Sequence, residues 1–169
     1  MKNTVVIDID GILANYRLGI LYWIRQSVPE FAHMANQHLK VEDTWIDAES
    51  MHMTYDRWLD TLEFFRMSGG KRTIPMFEGA QELLAYCRKQ NYKIVLLTSR
   101  PIDICSNIYG DTLLWLRDNQ LPFDILHWSK SKAEMVHKMR IPKETVFAID
   151  DELKHVIDYA KLGIDVILD

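Results

Sequence analysis

The stretch VVIDIDGILA, residues 5–14, begins as a buried strand and turns acidic before it ends. Thr4–Ile9 is apolar and β-branched, the composition of a strand covered on both faces, and predicts the first strand. Asp8 and Asp10 interrupt that run two residues apart, and Gly11 follows at once. Two like charges at the edge of a core are costly unless something compensates them. The function of the chain turns on what that compensation is.

Working outward, Lys93–Leu97, Thr145–Ile149 and Ile164–Leu168 have the same strand character, with Phe123–His127 a weaker fifth strand. Amphipathic helical patterns lie between them at Glu78–Gln90, Thr112–Asn119, Lys132–Met139 and Glu152–Leu162. Strands alternating with helices of this length imply right-handed βαβ crossovers. The expected fold is α/β: a three-layer, Rossmann-like domain around a parallel five-stranded sheet.

The alternation fails over residues 14–75, where helical patterns appear at Tyr16–Ser27 and Tyr55–Arg66 and no strand does. An insertion of about sixty residues is too long for a plain βα loop. It predicts a small helical subdomain at the carboxyl edge of the sheet, with 1–13 and 76–169 forming the core domain. Ser68-Gly69-Gly70-Lys71 reads as a flexible return to that domain.

Bulk properties exclude several classes. The 169 residues are 48% hydrophobic and 26% charged, with a net charge of −4, which disfavours a protein built to coat nucleic acid. Two cysteines, Cys87 and Cys105, are too few for a disulfide scaffold and read as reduced structural thiols. The start MKNTVVIDID lacks the pattern of a signal peptide, and no run approaches a membrane span. A cytoplasmic protein is expected.

Ligands of open α/β sheets bind beyond the carboxyl ends of the strands, so the polar residues ending each strand are the candidates. These are Asp8 and Asp10, then Thr98, Ser99 and Arg100, then Asp150 and Asp151, with Lys130 and Lys132 opening a helix. Four converging carboxylates would repel one another, and a hard divalent cation relieves this. Magnesium suits the set because it takes few carboxylates, keeps waters and adds phosphate oxygens. A lysine and a hydroxyl would face the remaining phosphate oxygens, which describes a phosphoryl-transfer site. Asp8 could then attack phosphorus, and Asp10 could protonate the leaving oxygen and activate water. Gly11 would turn the chain sharply and offer backbone N–H groups to phosphate. Arg100 either binds a substrate phosphate or base or pairs with a nearby acid.

In this order the residues resemble the haloacid dehalogenase superfamily of phosphohydrolases. Its acid-x-acid-glycine motif matches Asp8-Ile9-Asp10-Gly11, although Ile12 stands where a hydroxyl or smaller branch is usual. Its strand-ending threonine matches Thr98 in VLLTSR. Its helix-opening lysine matches Lys132 in SKSKAEMV, with Lys130 as the alternative register, and its acid pair matches Asp150-Asp151 in VFAIDDE. The resemblance implies Asp8 as nucleophile and magnesium ligand, and Asp10 as general acid/base that also binds the metal through its backbone carbonyl. It further implies Thr98 holding the phosphoryl group, Lys132 neutralising it, Asp150 completing the metal site, and Asp151 ligating directly or through water. An insertion after the first motif corresponds to a C1 cap that closes over the site and selects substrate.

Within the superfamily, IPMFEGAQELL and LLTSRP resemble 5′(3′)-deoxyribonucleotidases and their bacterial and phage relatives. The stretches TSRP and DTLLWLRDNQLPFDIL also resemble the phosphatase domain of polynucleotide kinase-phosphatases. A sizeable cap favours a nucleoside monophosphate over a polymer end as the small-molecule partner. Tyr16, Trp23 or Phe64 could stack on a base, although helical aromatics more often form core. Trp115 and Trp128 read as packing residues, and His33, His38 and His52 lack metal-ligand spacing. A cap serves as a homodimer surface as readily as a lid. A non-catalytic module binding phosphorylated ligands or a protein is the competing class, and the Asp8–Asp10 pair speaks against it.

Overall fold

The computed structural model describes residues 3–41 and 45–168. Five strands, β1 (Thr4–Ile7), β2 (Lys93–Thr98), β3 (Ile125–Trp128), β4 (Thr145–Asp150) and β5 (Val166–Leu168), form one sheet. All pairings are parallel, in the order β3-β2-β1-β4-β5. The α-helices are α1 (Tyr16–Ser27), α2 (Ala32–His38), α3 (Tyr55–Met67), α4 (Ala80–Lys89), α5 (Asn107–Asp118), α6 (Lys132–Lys138) and α7 (Leu153–Lys161), with short 3₁₀ turns at Pro29–Phe31 and Gly70–Arg72. From β1 the chain steps to one edge of the sheet and then crosses to the other. Right-handed crossovers therefore place α4 on one face and α6 and α7 on the opposite one. This is the three-layer α/β arrangement.

The chain clusters into two compact units. The first comprises 1–14, 76–100 and 116–169, and holds the whole sheet. β1 is its central strand and all four residues are buried, which accounts for the unbroken apolar run. One face packs Val6, Val95, Leu97 and Ala148 against Val136 of α6 and Tyr159 of α7. Burying such side chains stabilises the unit by roughly 1.5–3 kcal/mol each.

The second unit comprises 15–75 and 101–115. Asn15 caps α1 by accepting a hydrogen bond from the Leu18 N–H (3.0 Å), and Thr54 caps α3 through the Arg57 N–H (3.2 Å). Ile20, Leu21, Ile24 and Phe65 are fully buried. Trp23 meets Phe64 and Phe65 edge-on at 5.4 and 5.7 Å, and Tyr16 meets Phe65 at 5.9 Å. The aromatics considered for base stacking thus contribute to packing, though Phe64 remains 58% exposed. The Trp115 indole N–H donates to the Ile74 carbonyl at 2.7 Å from a buried position.

Several sequence expectations need correction. The segment Ser68–Lys71 is not a loose return: Gly70–Arg72 forms a 3₁₀ turn in which Gly70 and Lys71 are buried. The α5 helix begins at Asn107, five residues before the predicted start, and α2 was not anticipated. Helix α2 is a seven-residue element without a clear apolar stripe, so periodicity had little to detect. β1 stops at Ile7, because the chain bends at Ile9 while keeping that side chain buried. β5 begins at Val166 rather than Ile164.

Candidate active site

The sheet order decides which strand ends meet. β1 and β4 are neighbours, and the strand order reverses between them, the position at which α/β sheets open a crevice. Register pairs Ile7 with Ile149, so Asp8 and Asp150, one residue further on, stand side by side at the carboxyl ends of the two strands. On the other flank β2 ends at Thr98. Every residue of the site lies within the first unit.

Asp8 is 4% exposed and Asp150 fully buried. Between them sits Lys132, the first residue of α6, also fully buried, with Nζ 2.7 Å from Oδ2 of each. Burial opposes the charge on Lys132, but Asp8 and then Asp150 outweigh it, so its pKa lies above the ordinary lysine value. Lys130, the alternative register, is exposed. The second oxygens are also engaged: Asp8 Oδ1 accepts from the Ile9 N–H (2.7 Å) and Asp150 Oδ1 from the Glu152 N–H (3.1 Å).

Asp151 follows at the rim of this group. One carboxylate oxygen from each of Asp8, Asp150 and Asp151 lies within 4.8 Å of the others. A six-coordinate magnesium, with oxygens at about 2.1 Å, needs such a set drawn slightly closer. The donors are hard oxygens, and the local balance is anionic: four carboxylates, including Asp10, face Lys132 and Arg100. The residues therefore fit a divalent cation. With protein charges alone, burial pushes the Asp8 carboxyl up to about 7, Lys132 offsetting only part of it. Burial, then Asp150, pushes Asp151 up to about 6.

Asp10 takes a different position. Its carboxylate lies outside the Asp8–Asp150–Asp151 group and is gripped by Arg100, with Nε 3.1 Å from Oδ2 and Nη2 2.7 Å from Oδ1. Of the two roles left open for Arg100, the geometry displays pairing with an acid. Thr98 is 1% exposed, and its Oγ1 accepts from the Arg100 backbone N–H at 3.3 Å; Ser99 between them is half-buried.

Gly11 makes the expected sharp turn at φ +86°. Its N–H, however, donates to the Ala14 carbonyl at 3.0 Å rather than standing open toward a phosphate. The turn after β1 closes on itself, with the Leu13 and Ala14 N–H groups donating to the Ile9 carbonyl.

His155 and Tyr159 were not anticipated. They lie four residues apart on α7, buried, and the charges of the site act on both. Burial and then Lys132 hold His155 below the ordinary imidazole value, while burial, Asp150 and Asp8 raise the Tyr159 phenol. Their spacing after Asp150-Asp151 was the available signal, but i,i+4 pairs on an amphipathic helix are common. Among the other histidines, His33 Nε2 accepts from the Gln37 amide and His38 Nε2 donates to the Ser50 carbonyl, both at 2.9 Å. Cys87 and Cys105 are free and buried. No described helix is long and apolar enough to cross a membrane.

Solved structures share this fold. A haloacid dehalogenase-like family hydrolase from Streptococcus pneumoniae superposes with a TM-score of 0.58 at 15% identity, over 99% of this chain and 84% of that one. The fold is that of the haloacid dehalogenase-like hydrolases. A protein described as a predicted phosphatase from Clostridium acetobutylicum gives 0.62 at 18% identity, over 99% and 84% of the two chains. A chain of the Pnkp1/Rnl/Hen1 RNA repair complex gives 0.55 at 16% identity, over 100% of this chain but 42% of that one. No family model matches the chain, and no curated protein does. Within the haloacid dehalogenase-like fold, the acidic cluster stands at the carboxyl ends of the two strands flanking the switch point.

Proposed function

We propose that the chain is a magnesium-dependent phosphatase that hydrolyses a phosphate monoester, a (deoxy)nucleoside monophosphate, through an aspartyl-phosphate on Asp8. The observation that carries this reading is the clustering of Asp8, Asp150 and Asp151 oxygens within 4.8 Å around the buried Lys132. Such a site needs a cation and offers both a nucleophile and a positive charge for a phosphoryl group. The haloacid dehalogenase-like fold supports the same chemistry. Magnesium, when bound to the three aspartates, would supply charge neutralisation for the carboxylates and a phosphoryl oxygen.

An Asp8 oxygen attacks phosphorus, the ester P–O bond breaks, and Asp10 gives its proton to the leaving oxygen. Asp10 then takes a proton from the water that splits the aspartyl-phosphate, releasing phosphate and restoring Asp8. Lys132 balances the charge on the phosphoryl oxygens, and Thr98 donates its hydroxyl to one of them. The inserted segment 14–75 acts as the cap that chooses the substrate.

Phosphate release from nucleoside 5′- and 3′-monophosphates, sugar phosphates and 3′-phosphorylated oligonucleotides, with magnesium or with EDTA, tests the reading. Turnover of mononucleotides that needs magnesium and is lost in Asp8→Asn supports it. Undiminished release by Asp8→Asn would overturn the nucleophile assignment, and binding without turnover of any ester would favour a non-catalytic module. Turnover of oligonucleotide 3′-phosphates alone would favour a polynucleotide 3′-phosphatase, the reading that the likeness to the RNA repair chain supports.

A further inference from the structure

We propose that Arg100 is a positioning residue for Asp10, and not a contact for the substrate phosphate. The inference rests on the phosphatase reading above. The Arg100 side chain is fully buried, whereas the Asp10 side chain is 23% exposed. The Nε–Nη2 edge of the guanidinium meets both oxygens of Asp10 at 3.1 and 2.7 Å. That fork is the part of arginine best suited to two-point recognition of an oxyanion, and Asp10 occupies it. The Arg100 N–H is tied to Thr98 Oγ1, which anchors the fork to the end of β2.

The effect is geometric. An aspartate turns about two side-chain bonds, and a proton donor works only within hydrogen-bond reach of the leaving oxygen. A two-point clamp from a buried group fixes both the position and the plane of the Asp10 carboxylate while leaving it open to solvent on the other side. Lys132 is held between Asp8 and Asp150, and in the phosphatase reading it is the cation that meets the phosphoryl group. Arg100 therefore acts through Asp10.

The test compares kcat/KM, which reports steps up to phosphorylation of Asp8, for two esters. A nucleoside 5′-monophosphate has an alkoxide leaving group that must be protonated; 2,4-dinitrophenyl phosphate has one that need not be. Arg100→Gln should lower kcat/KM about a hundredfold on the nucleotide but less than about tenfold on the dinitrophenyl ester. Arg100→Lys, which keeps the charge and loses the fork, should show the same selectivity, and it carries the test if Arg100→Gln fails to fold. The double variant Asp10→Asn/Arg100→Gln should be no slower than Asp10→Asn alone. Equal losses on both esters, additive losses in the double variant, or unchanged kcat/KM would overturn the proposal. Wild-type protein that turns over neither ester would overturn the phosphatase reading and this inference with it. Turnover sensitive to Asp8→Asn but indifferent to Arg100 would overturn the inference alone.

Discussion

Asp151 stands where a side chain on Gly11 would have to go. A Cβ at Gly11 would lie 2.0 Å from Asp151 Oδ2 and 2.3 Å from its Cγ, and the glycine sits at φ +86°. Gly11→Ala thus meets both a strained backbone and a displaced carboxylate. We expect a loss of roughly 1–3 kcal/mol in stability by urea denaturation. Magnesium affinity by calorimetry should weaken about tenfold, because the acid that shifts belongs to the candidate metal group.

Lys132 is the only lysine pairing with both Asp8 and Asp150 in the described ion pairs. Lys132→Met leaves two buried carboxylates without the cation between them. Without magnesium the variant should be about 3–5 kcal/mol less stable. Added magnesium should raise its Tm more than that of the wild type, since the uncompensated charge invites the ion. Phosphatase activity should fall at least about a hundredfold. A smaller Tm gain than in the wild type would contradict this account.

Asp124 joins the loop before β3 to β2. Its Oδ2 accepts from the Ile94 N–H and from Arg88 Nη1, both at 2.7 Å. Burial works against ionisation, but these hydrogen bonds outweigh it and hold the carboxyl below its ordinary value of 3.8. A lowered folded-state pKa gives stability that is full above the unfolded value and is lost as pH falls through the folded one. Asp124→Asn should therefore cost about 1 kcal/mol at neutral pH, the partial exposure of the pair limiting the effect. That difference should shrink below pH 3.8 in denaturation curves taken across the acid range.

Gly70 has no backbone reason to be glycine, but it has no room for anything else. A Cβ there would lie 2.1 Å from Phe65 Cδ2 and 2.5 Å from the Phe65 carbonyl oxygen. Gly70→Ala should destabilise by about 1–3 kcal/mol through overpacking. Gly110 in α5 meets nothing within 4 Å, so Gly110→Ala should stabilise by about 0.5–1 kcal/mol. Thermal denaturation of the two variants should move in opposite directions.

Much of the fold was legible because burial leaves a periodic trace. The runs at β1, β2 and β4 are apolar because both faces of the inner strands are covered. Helix α1 matched its predicted bounds, with Asn15 as a cap and an amphipathic pattern behind it. Elements that failed are those whose form depends on distant contacts. Ser68–Lys71 looks flexible from its glycines, yet Phe65 packs Gly70 into a buried turn. The Gly11 N–H looked free for an anion until the chain closed onto Ala14.

The sequence by itself determined the alternation of strands and helices, and with it the polar residues that end each strand. Asp8, Asp10, Thr98 and Asp150 could be named on that ground, because a strand leaves the core where its apolar run stops. Only the tertiary structure decided their company. The sheet order sets β1 beside β4, so Asp8 meets Asp150 across 141 intervening residues, with Lys132 rather than Lys130 between them. It also turned Arg100 onto Asp10. Local sequence fixes periodicity through the backbone geometry of each element, whereas strand order, register and ion pairing come from contacts between segments far apart in the chain.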